Sequence, residues 1–512
     1  MSKVLVDENN LTSIANAIRA KSGLSDTFKP GEMAVAITNI PSGGGSVESQ
    51  AVNFYNYDGT IVNSYTKEEF LKLESLPTPP VNPGLTSEGW NWTLEGIKQC
   101  LNEGTAELNV GNVVVPSDLS TRIIVNISKG LLNPVMTIYI NGTINIDWGD
   151  GTELEEATGS DFSTLENISH TYSQPGEYTI RVHCVDDSQF GIRGNTSGYG
   201  TLIWGNKNGV SNINTSYECT LIELNMGKGA MLAGSYTFSG FWNLTKLSIS
   251  NESGTTVNRP FHSCKTIKHI TIPNNGAFDD KTDLFREMTS LSSYSLPQSF
   301  TTIQNYTFSN CTSLYRITLP STITSIGTYA FANNSSLKNA DLSATKITSL
   351  NASLFVSCLY IKEIKLPSTI TSLGNSVFSG CNYLQTIDLP ENLTSIGSSV
   401  FYNCYSLEDI DLSTMSIQSI ESSTFYQNYT KTEFKFPSTL TEIKASAFYS
   451  CYGVHLYDFT ELTAVPTLAN TNAFTNMLDN AIIVVPDDLY DEWVVANNWS
   501  TYESHIKKAS EV

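Results

Sequence analysis

The sequence predicts a multidomain, mainly β protein whose second half is a solenoid. Three observations predict this. First, a phenylalanine returns every 23 or 24 residues at Phe238, Phe261, Phe285, Phe308, Phe331, Phe355, Phe378, Phe401, Phe425 and Phe448, and Phe474 follows after a slightly longer gap. Only stacked units produce such regularity, because each covers the apolar edge of its neighbour; stacks of this kind mostly bind things. Second, apolar and polar residues alternate in RIIVNIS, TIYINGTINIDWG and EYTIRVHC, the period of half-buried strands. Third, charged residues are only 15% of the 512, against an ordinary share of about a quarter. The polar surface must therefore be Ser, Thr, Asn and Tyr.

The elements follow in chain order. Residues 1–41 read as two short helices that form an attachment segment. Leu11, Ile14 and Ile18 make one apolar stripe, and Met33 and Ile37 belong to a second that starts after Pro30. Helices this small cannot bury a core alone, so they should dock or oligomerise, a trimer being one option; the plainer alternative is a loosely ordered tail. Residues 42–49 are a Gly/Ser linker. Residues 50–110 form a small α+β module. In it Asp58-Gly59 marks a hairpin turn, Thr66 and Glu69 form a capping box, and Trp90 and Trp92 precede a helix beginning near Thr93. The two tryptophans read as core, with sugar stacking the minor alternative.

Residues 111–188 read as all-β. Residues 189–480 are the solenoid, with irregular first coils to about residue 220; residues 481–512 look like the segment that closes such arrays, a resemblance that implies Trp493 and Trp499 plug the last coil. A clean unit runs from Leu389 to Leu412. Ile410 and Leu412 alternate as a short strand. Leu393 and Ile396 point inward, and Gly397 permits a sharp turn where Cβ would clash. Val400, Phe401 and Cys404 form one helical turn facing the core. At an interstrand spacing of about 4.8 Å, eleven such coils make a rod roughly 50 Å long.

The bulk chemistry narrows the function. A net charge of −21 argues against nucleic acid and against an anionic membrane surface. No apolar run is long enough to span a bilayer, so no membrane insertion is expected. Asp7, Glu8 and Asn9 interrupt what a secretory signal would need, so synthesis in a cytosol is expected. The cysteines follow the repeat. Cys264, Cys311, Cys358, Cys381, Cys404 and Cys451 all stand three residues after the phenylalanine, with Asn334 and Asn428 at the same place in other coils. That pattern implies small buried thiols, not a disulfide framework or a metal site, and no cofactor is expected. The phosphate-loop, zinc-protease and nucleophile-elbow motifs are missing, so no enzyme is expected.

One constellation points to binding. Positions one and four after the phenylalanine are Tyr402 and Tyr405, Tyr426 and Tyr429, and Tyr449 and Tyr452 in three successive coils. Stacked, they make a patch two tyrosines wide and three high, which Tyr360 and Tyr383 would widen. Tyrosine offers a flat ring and a hydroxyl at little entropic cost, which suits recognition of protein or glycan. The alternative is a ladder that only stiffens the rod.

Family resemblances add to this reading. The Leu389–Leu412 unit resembles the leucine-rich repeats of BspA-type bacterial surface proteins over roughly residues 220–480. Asp147-Trp148-Gly149-Asp150-Gly151, with His170 and Tyr172, resembles the PKD-type immunoglobulin-like sandwich, in which the Trp packs between sheets; such domains usually act as spacers. Asp147 and Asp150 have the oxygen chemistry of calcium ligands, though turn formation is the commoner use of such acids. The first hundred residues are similar to segments of phage and prophage tail and baseplate proteins of Gram-positive hosts. The resemblances imply short N-terminal helices, an α+β module, a PKD-type sandwich and a leucine-rich-repeat solenoid with one short strand and one helical turn per coil. They also imply a virion tail or baseplate location and attachment of the N-terminus to other tail proteins. The expected function is that of a tail-fibre or tail-tip receptor-binding protein adsorbing to a bacterial surface glycan or protein. The alternatives are a structural baseplate or tail decoration protein and a cellular BspA-type adhesin.

Overall fold

The computed structural model describes residues 51–103, 107–129, 132–192, 203–205, 219–233, 244–251, 253–255, 258–408 and 410–512. The expected attachment helices, the linker and Phe238 lie outside the described residues. The small module opens with the hairpin β1 (Val52–Tyr55) and β2 (Ile61–Tyr65). Its turn uses Gly59 at φ 84°, where a side chain would be strained. Helix α1 (Lys67–Leu71) carries the expected capping box between Thr66 and Glu69. β3 (Leu85–Trp90) leads to α2 (Leu94–Asn102), capped by Thr93, and then to β4 (Leu108–Pro116). Trp92 is buried among Phe54, Phe70 and Ile97, and the Trp90 indole donates to the Pro77 carbonyl at 2.7 Å.

The next strands are β5 (Thr121–Ile127), β6 (Pro134–Asp147), β7 (Glu155–Ser169), β8 (Gly176–Cys184), β9 (Gln189–Ile192) and β10 (Ile203–Gly205). β6 serves two layers. Its first half pairs with β9 and its second half with β8, and Gly142, at φ 102°, separates them. The sheets do not end there. β5 pairs with β11 (Cys219–Met226), and β9 pairs with β12 (Ala230–Leu232). β11 then pairs in parallel with β13 (Lys246–Ile249), and β12 with β14 (Gly254–Thr255). Both layers therefore continue hydrogen bond by hydrogen bond into the first coils. One apolar core runs from Ile123 to Ile506.

Each regular coil contributes to three parallel ladders. The first holds three-residue strands such as Arg316–Thr318, Asn339–Asp341 and Glu363–Lys365, and the second holds two-residue strands such as Ser372–Leu373 and Ser395–Ile396. In the Leu389–Leu412 coil, Ile410 and Leu412 are buried as expected. The third face carries the phenylalanines. Phe261 to Phe474 form an unbroken column with ring centroids 5.0–5.9 Å apart and planes within 7–22° of parallel.

The expected helical turn around each phenylalanine does not form. Instead the amide of Phe401 bonds the Thr424 carbonyl at 2.9 Å, and that of Phe425 bonds Ala447 at 2.8 Å, in the next coil. Residues two before and two after the phenylalanine adopt positive φ, as at Ser399 (57°) and Asn403 (58°). The reason is geometric. A helix is about 10 Å across with its side chains, whereas ladder bonding sets neighbouring coils about 4.8 Å apart. Helical turns cannot stack at that spacing, so the backbone turns its amides along the rod. Gly397 answers the same constraint: a Cβ there would lie 2.6 Å from the Asn375 Oδ1 and 2.7 Å from the Gly374 carbonyl carbon.

The core is closed at its carboxyl end and flanked further upstream by the small module. Downstream, Trp493 and Trp499 lie 5.2 Å apart over Phe459 and Phe474, the Trp499 indole donates to the Pro466 carbonyl at 2.7 Å, and Ile506–Lys508 is the last strand of the first ladder. Upstream, the small module lies against the first ladder. The Asn109 amide donates to Ser295 Oγ at 2.8 Å, Asn91 donates to the Ile272 carbonyl, Thr93 Oγ1 donates to Gln298, and Arg316 pairs with Glu107. Gly111 and Gly96 face Thr271 and Gln298 with no room for a Cβ. At the hairpin tip His269 stacks on Tyr55 at 5.0 Å and touches Gly59, with its Nε2 buried and unpartnered. Enclosure outweighs the opposing attraction of Asp58 and pulls the imidazole pKa down to about 4.

Two outcomes are expected. Asn403→Gly leaves stability unchanged or raised, and Asn403→Val costs about 1–2 kcal/mol in chemical denaturation, because the site is left-handed. A helical turn would instead lose about 1 kcal/mol on Gly substitution. Second, docking of the small module should have its full strength above pH 6.5 and weaken as pH falls toward 4, because the undocked His269 takes up a proton that the docked one resists. Hydrogen exchange of β1 and β2 amides across that window measures it, and His269→Phe should flatten the dependence.

Candidate functional site

The two tyrosine columns are present on the solenoid. Tyr402, Tyr426 and Tyr449 stack with centroids 4.6 and 4.8 Å apart, and Tyr405 and Tyr429 stack at 4.9 Å. Tyr452 follows at 5.6 Å, tilted by 38°. The backbone imposes this register. The amides of Gly380, Asn403 and Gln427 donate to the carbonyls of Tyr402, Tyr426 and Tyr449 at 2.7–2.9 Å, so each tyrosine inherits the coil spacing. In the other column Gly453 passes so close to the Tyr429 carbonyl that no Cβ would fit. The columns are neighbours: partial burial first, and then the adjacent phenols, raise the pKa of Tyr426 and of Tyr429. Tyr429 and Tyr452 are exposed and the other four half-buried.

Further aromatic pairs extend along the flank. Tyr360 and Tyr383 stack at 5.2 Å and are about half exposed, at 51% and 49%. Sequence reading missed Tyr306 and Tyr329, which stack at 5.1 Å with Arg286 over the Tyr306 ring. The signal was available, since both stand two residues before a column phenylalanine, at a left-handed position. Of the other expected site residues, Leu11, Ile14, Ile18, Met33 and Ile37 lie outside the described residues.

The cysteine column has a plain structural role. The thiols of Cys311, Cys358, Cys381, Cys404 and Cys451 each donate to the carbonyl of a phenylalanine on the preceding coil at 3.0–3.3 Å, and Asn428 makes the same bond at 3.0 Å. That position needs a small buried donor, which explains why Cys and Asn exchange there. Asn334, at the same place, has no partner for either amide atom among the described residues. Burial pushes the thiols of Cys311, Cys358 and Cys451 up to about 12.

The sandwich signature residues come together as one cluster. Trp148 is buried, stacks on His170 at 4.7 Å and accepts the Tyr172 hydroxyl on its carbonyl at 2.9 Å. His170 reaches Asp150 at 2.8 Å, and Asp150 also accepts from the amide and hydroxyl of Thr152. Desolvation opposes ionisation of Asp150, but these hydrogen bonds hold its carboxyl down at about 2. Asp147 accepts from the Gly149 amide and lies 3.5 Å from Arg181. Both acids thus form turns. Among the described residues no group of three or more His, Cys, Asp or Glu is placed to hold a metal.

Residues 207–280, 281–382 and 348–479 match the family model of the BspA type leucine rich repeat region, and together they take in more than half of the chain. The chain belongs to the BspA-type leucine-rich repeat family. The BspA-type coils are similar in fold to several solved structures. A leucine-rich repeat protein from Bacteroides ovatus is 17% identical, covers 56% of this chain and 84% of its own, and gives a TM-score of 0.38. The T. pallidum leucine-rich repeat protein is 23% identical over 33% of this chain and 80% of its own, with a TM-score of 0.31. A leucine-rich cell surface protein from Faecalibacterium prausnitzii is 18% identical over 58% and 86%, with a TM-score of 0.28. No curated protein matches the chain. No helix among the described residues is long and apolar enough to cross a membrane.

Burial of the cysteine column has a direct readout. The thiols of Cys264, Cys311, Cys358, Cys381, Cys404 and Cys451 should resist an aromatic disulfide reagent at neutral pH in the native protein. They should react fully once denaturant unfolds it, as followed by absorbance.

Proposed function

We propose that this BspA-type protein is a non-catalytic adhesion protein that attaches to a bacterial surface through the tyrosine columns of its solenoid. The observation that carries this reading is the six tyrosines held in register on an accessible flank, next to a core closed at its carboxyl end. Rigid, pre-registered aromatic groups lose little entropy on binding. A closed carboxyl end leaves the flank as the working surface.

We place the protein on a phage tail fibre or tail tip, made in the host cytoplasm and held in the virion by residues 1–41. Support comes from the resemblance of the first hundred residues to tail and baseplate proteins, and of the Trp148 cluster to PKD-type sandwiches. Several copies on one particle would turn weak contacts into strong attachment. Membership of the BspA-type family favours a second reading, a cellular surface adhesin. Electron microscopy of intact particles with antibody against the solenoid separates the two: label on tails supports the first, and label only on cells supports the second.

The adhesion reading predicts that Tyr405→Ala combined with Tyr429→Ala abolishes attachment to whole bacterial cells in a pull-down assay, while the thermal midpoint barely moves. Equal loss of folding and attachment would remove the site.

A further inference from the structure

How the tyrosines are packed decides which of their atoms a ligand can touch. Tyr426 sits between Tyr402 and Tyr449 at 4.6 and 4.8 Å, with planes within 15° and 2° of parallel, so both of its faces are covered. Tyr429 is stacked on Tyr405 at 4.9 Å on one side, and on the other Tyr452 leans over it at 5.6 Å with a tilt of 38°. A sugar or apolar side chain that needs an aromatic face therefore finds none at the centre of this surface. What faces outward is a row of ring edges, whose hydrogens are positive, and the phenol oxygens. None of the six phenols has a protein hydrogen-bond partner among the described residues, and none is buried.

The positions between the tyrosines are uncharged. The positions interleaved with the tyrosines are Asn403, Gln427 and Ser450 in one file and Ser406, Thr430 and Gly453 in the other. Lys431 stands two residues after Tyr429, but the net charge of −21 repels a phosphate- or carboxylate-bearing polymer. A protein partner ordinarily seats an apolar centre inside a polar rim; here the centre is itself a file of hydroxyls. Phenol hydroxyls both donate and accept, which matches the hydroxyls of a sugar.

We propose that the surface binds a neutral, hydroxyl-rich linear glycan edge-on, through the row of tyrosine hydroxyls and not through the ring faces. This rests on the reading of the columns as the adhesion site. The ligand lies along the rod, its sugar units meeting hydroxyls that recur once per coil.

Two sets of variants test it. Tyr405→Phe, Tyr429→Phe and Tyr452→Phe together remove three hydroxyls and keep the stack; the same three positions changed to Ala remove the rings. The probes are immobilised neutral and anionic bacterial wall oligosaccharides, and whole cells treated with periodate or with proteinase. The expected results are binding to neutral oligosaccharides, loss of cell attachment after periodate but not proteinase, and a Phe set at least about tenfold weaker than the native protein. The Phe set should keep the native unfolding midpoint. If the Phe set binds like the native protein, if anionic oligosaccharides bind better, or if proteinase treatment abolishes attachment, the hydroxyl-row inference falls while adhesion through the columns stands. If the Ala set also binds normally, both fall.

Discussion

Ladder hydrogen bonding between successive coils is the constraint on which the rest depends. It sets the rise of the rod at about 4.8 Å per coil, and every column obeys it. The phenylalanines stack at 5.0–5.9 Å because their own amides bond the next coil. The cysteine thiols reach a carbonyl one coil back for the same reason. Left-handed residues flank each phenylalanine because a helix is too wide to repeat at this rise. Short polar residues and one glycine, Gly380, fill most of these positions, which lowers the strain of positive φ.

Such a stack is stable only if its ends are covered. At the carboxyl end, two tryptophans and a final strand close the column. At the amino end the sandwich does more than abut the solenoid. Its two layers become the first rungs of two ladders, through β5 with β11 and β9 with β12. The small module then covers part of the first ladder, so the strand-bearing face of the early coils is occupied by the protein itself.

This arrangement directs attention to the flank. The tyrosine columns stand on late coils, away from the module's contacts with Ile272, Ser295, Gln298 and Thr318. Their rings are ordered by backbone bonds made one residue away, so the surface is organised before any ligand arrives. Packed this way, tyrosine acts less as an aromatic platform than as a holder of hydroxyls at fixed intervals.

Periodicity alone determined much of this protein. The 23–24-residue return of phenylalanine fixed the solenoid, the buried cysteine position and the vertical alignment of Tyr402, Tyr426 and Tyr449, since residues at one coil position must superpose. Local chemistry fixed the Thr66–Glu69 capping box and the Asp58-Gly59 turn. Three features were decided only in three dimensions. Val400, Phe401 and Cys404 have a spacing that suits a helical turn as well as a three-residue bend, and only the coil rise rejects the helix. The docking of the module rests on Asn109 meeting Ser295 and Asn91 meeting Ile272, contacts between residues nearly two hundred apart that leave no periodic trace. The covering of ring faces, which makes hydroxyls the exposed chemistry, depends on interplanar angles that no residue spacing encodes.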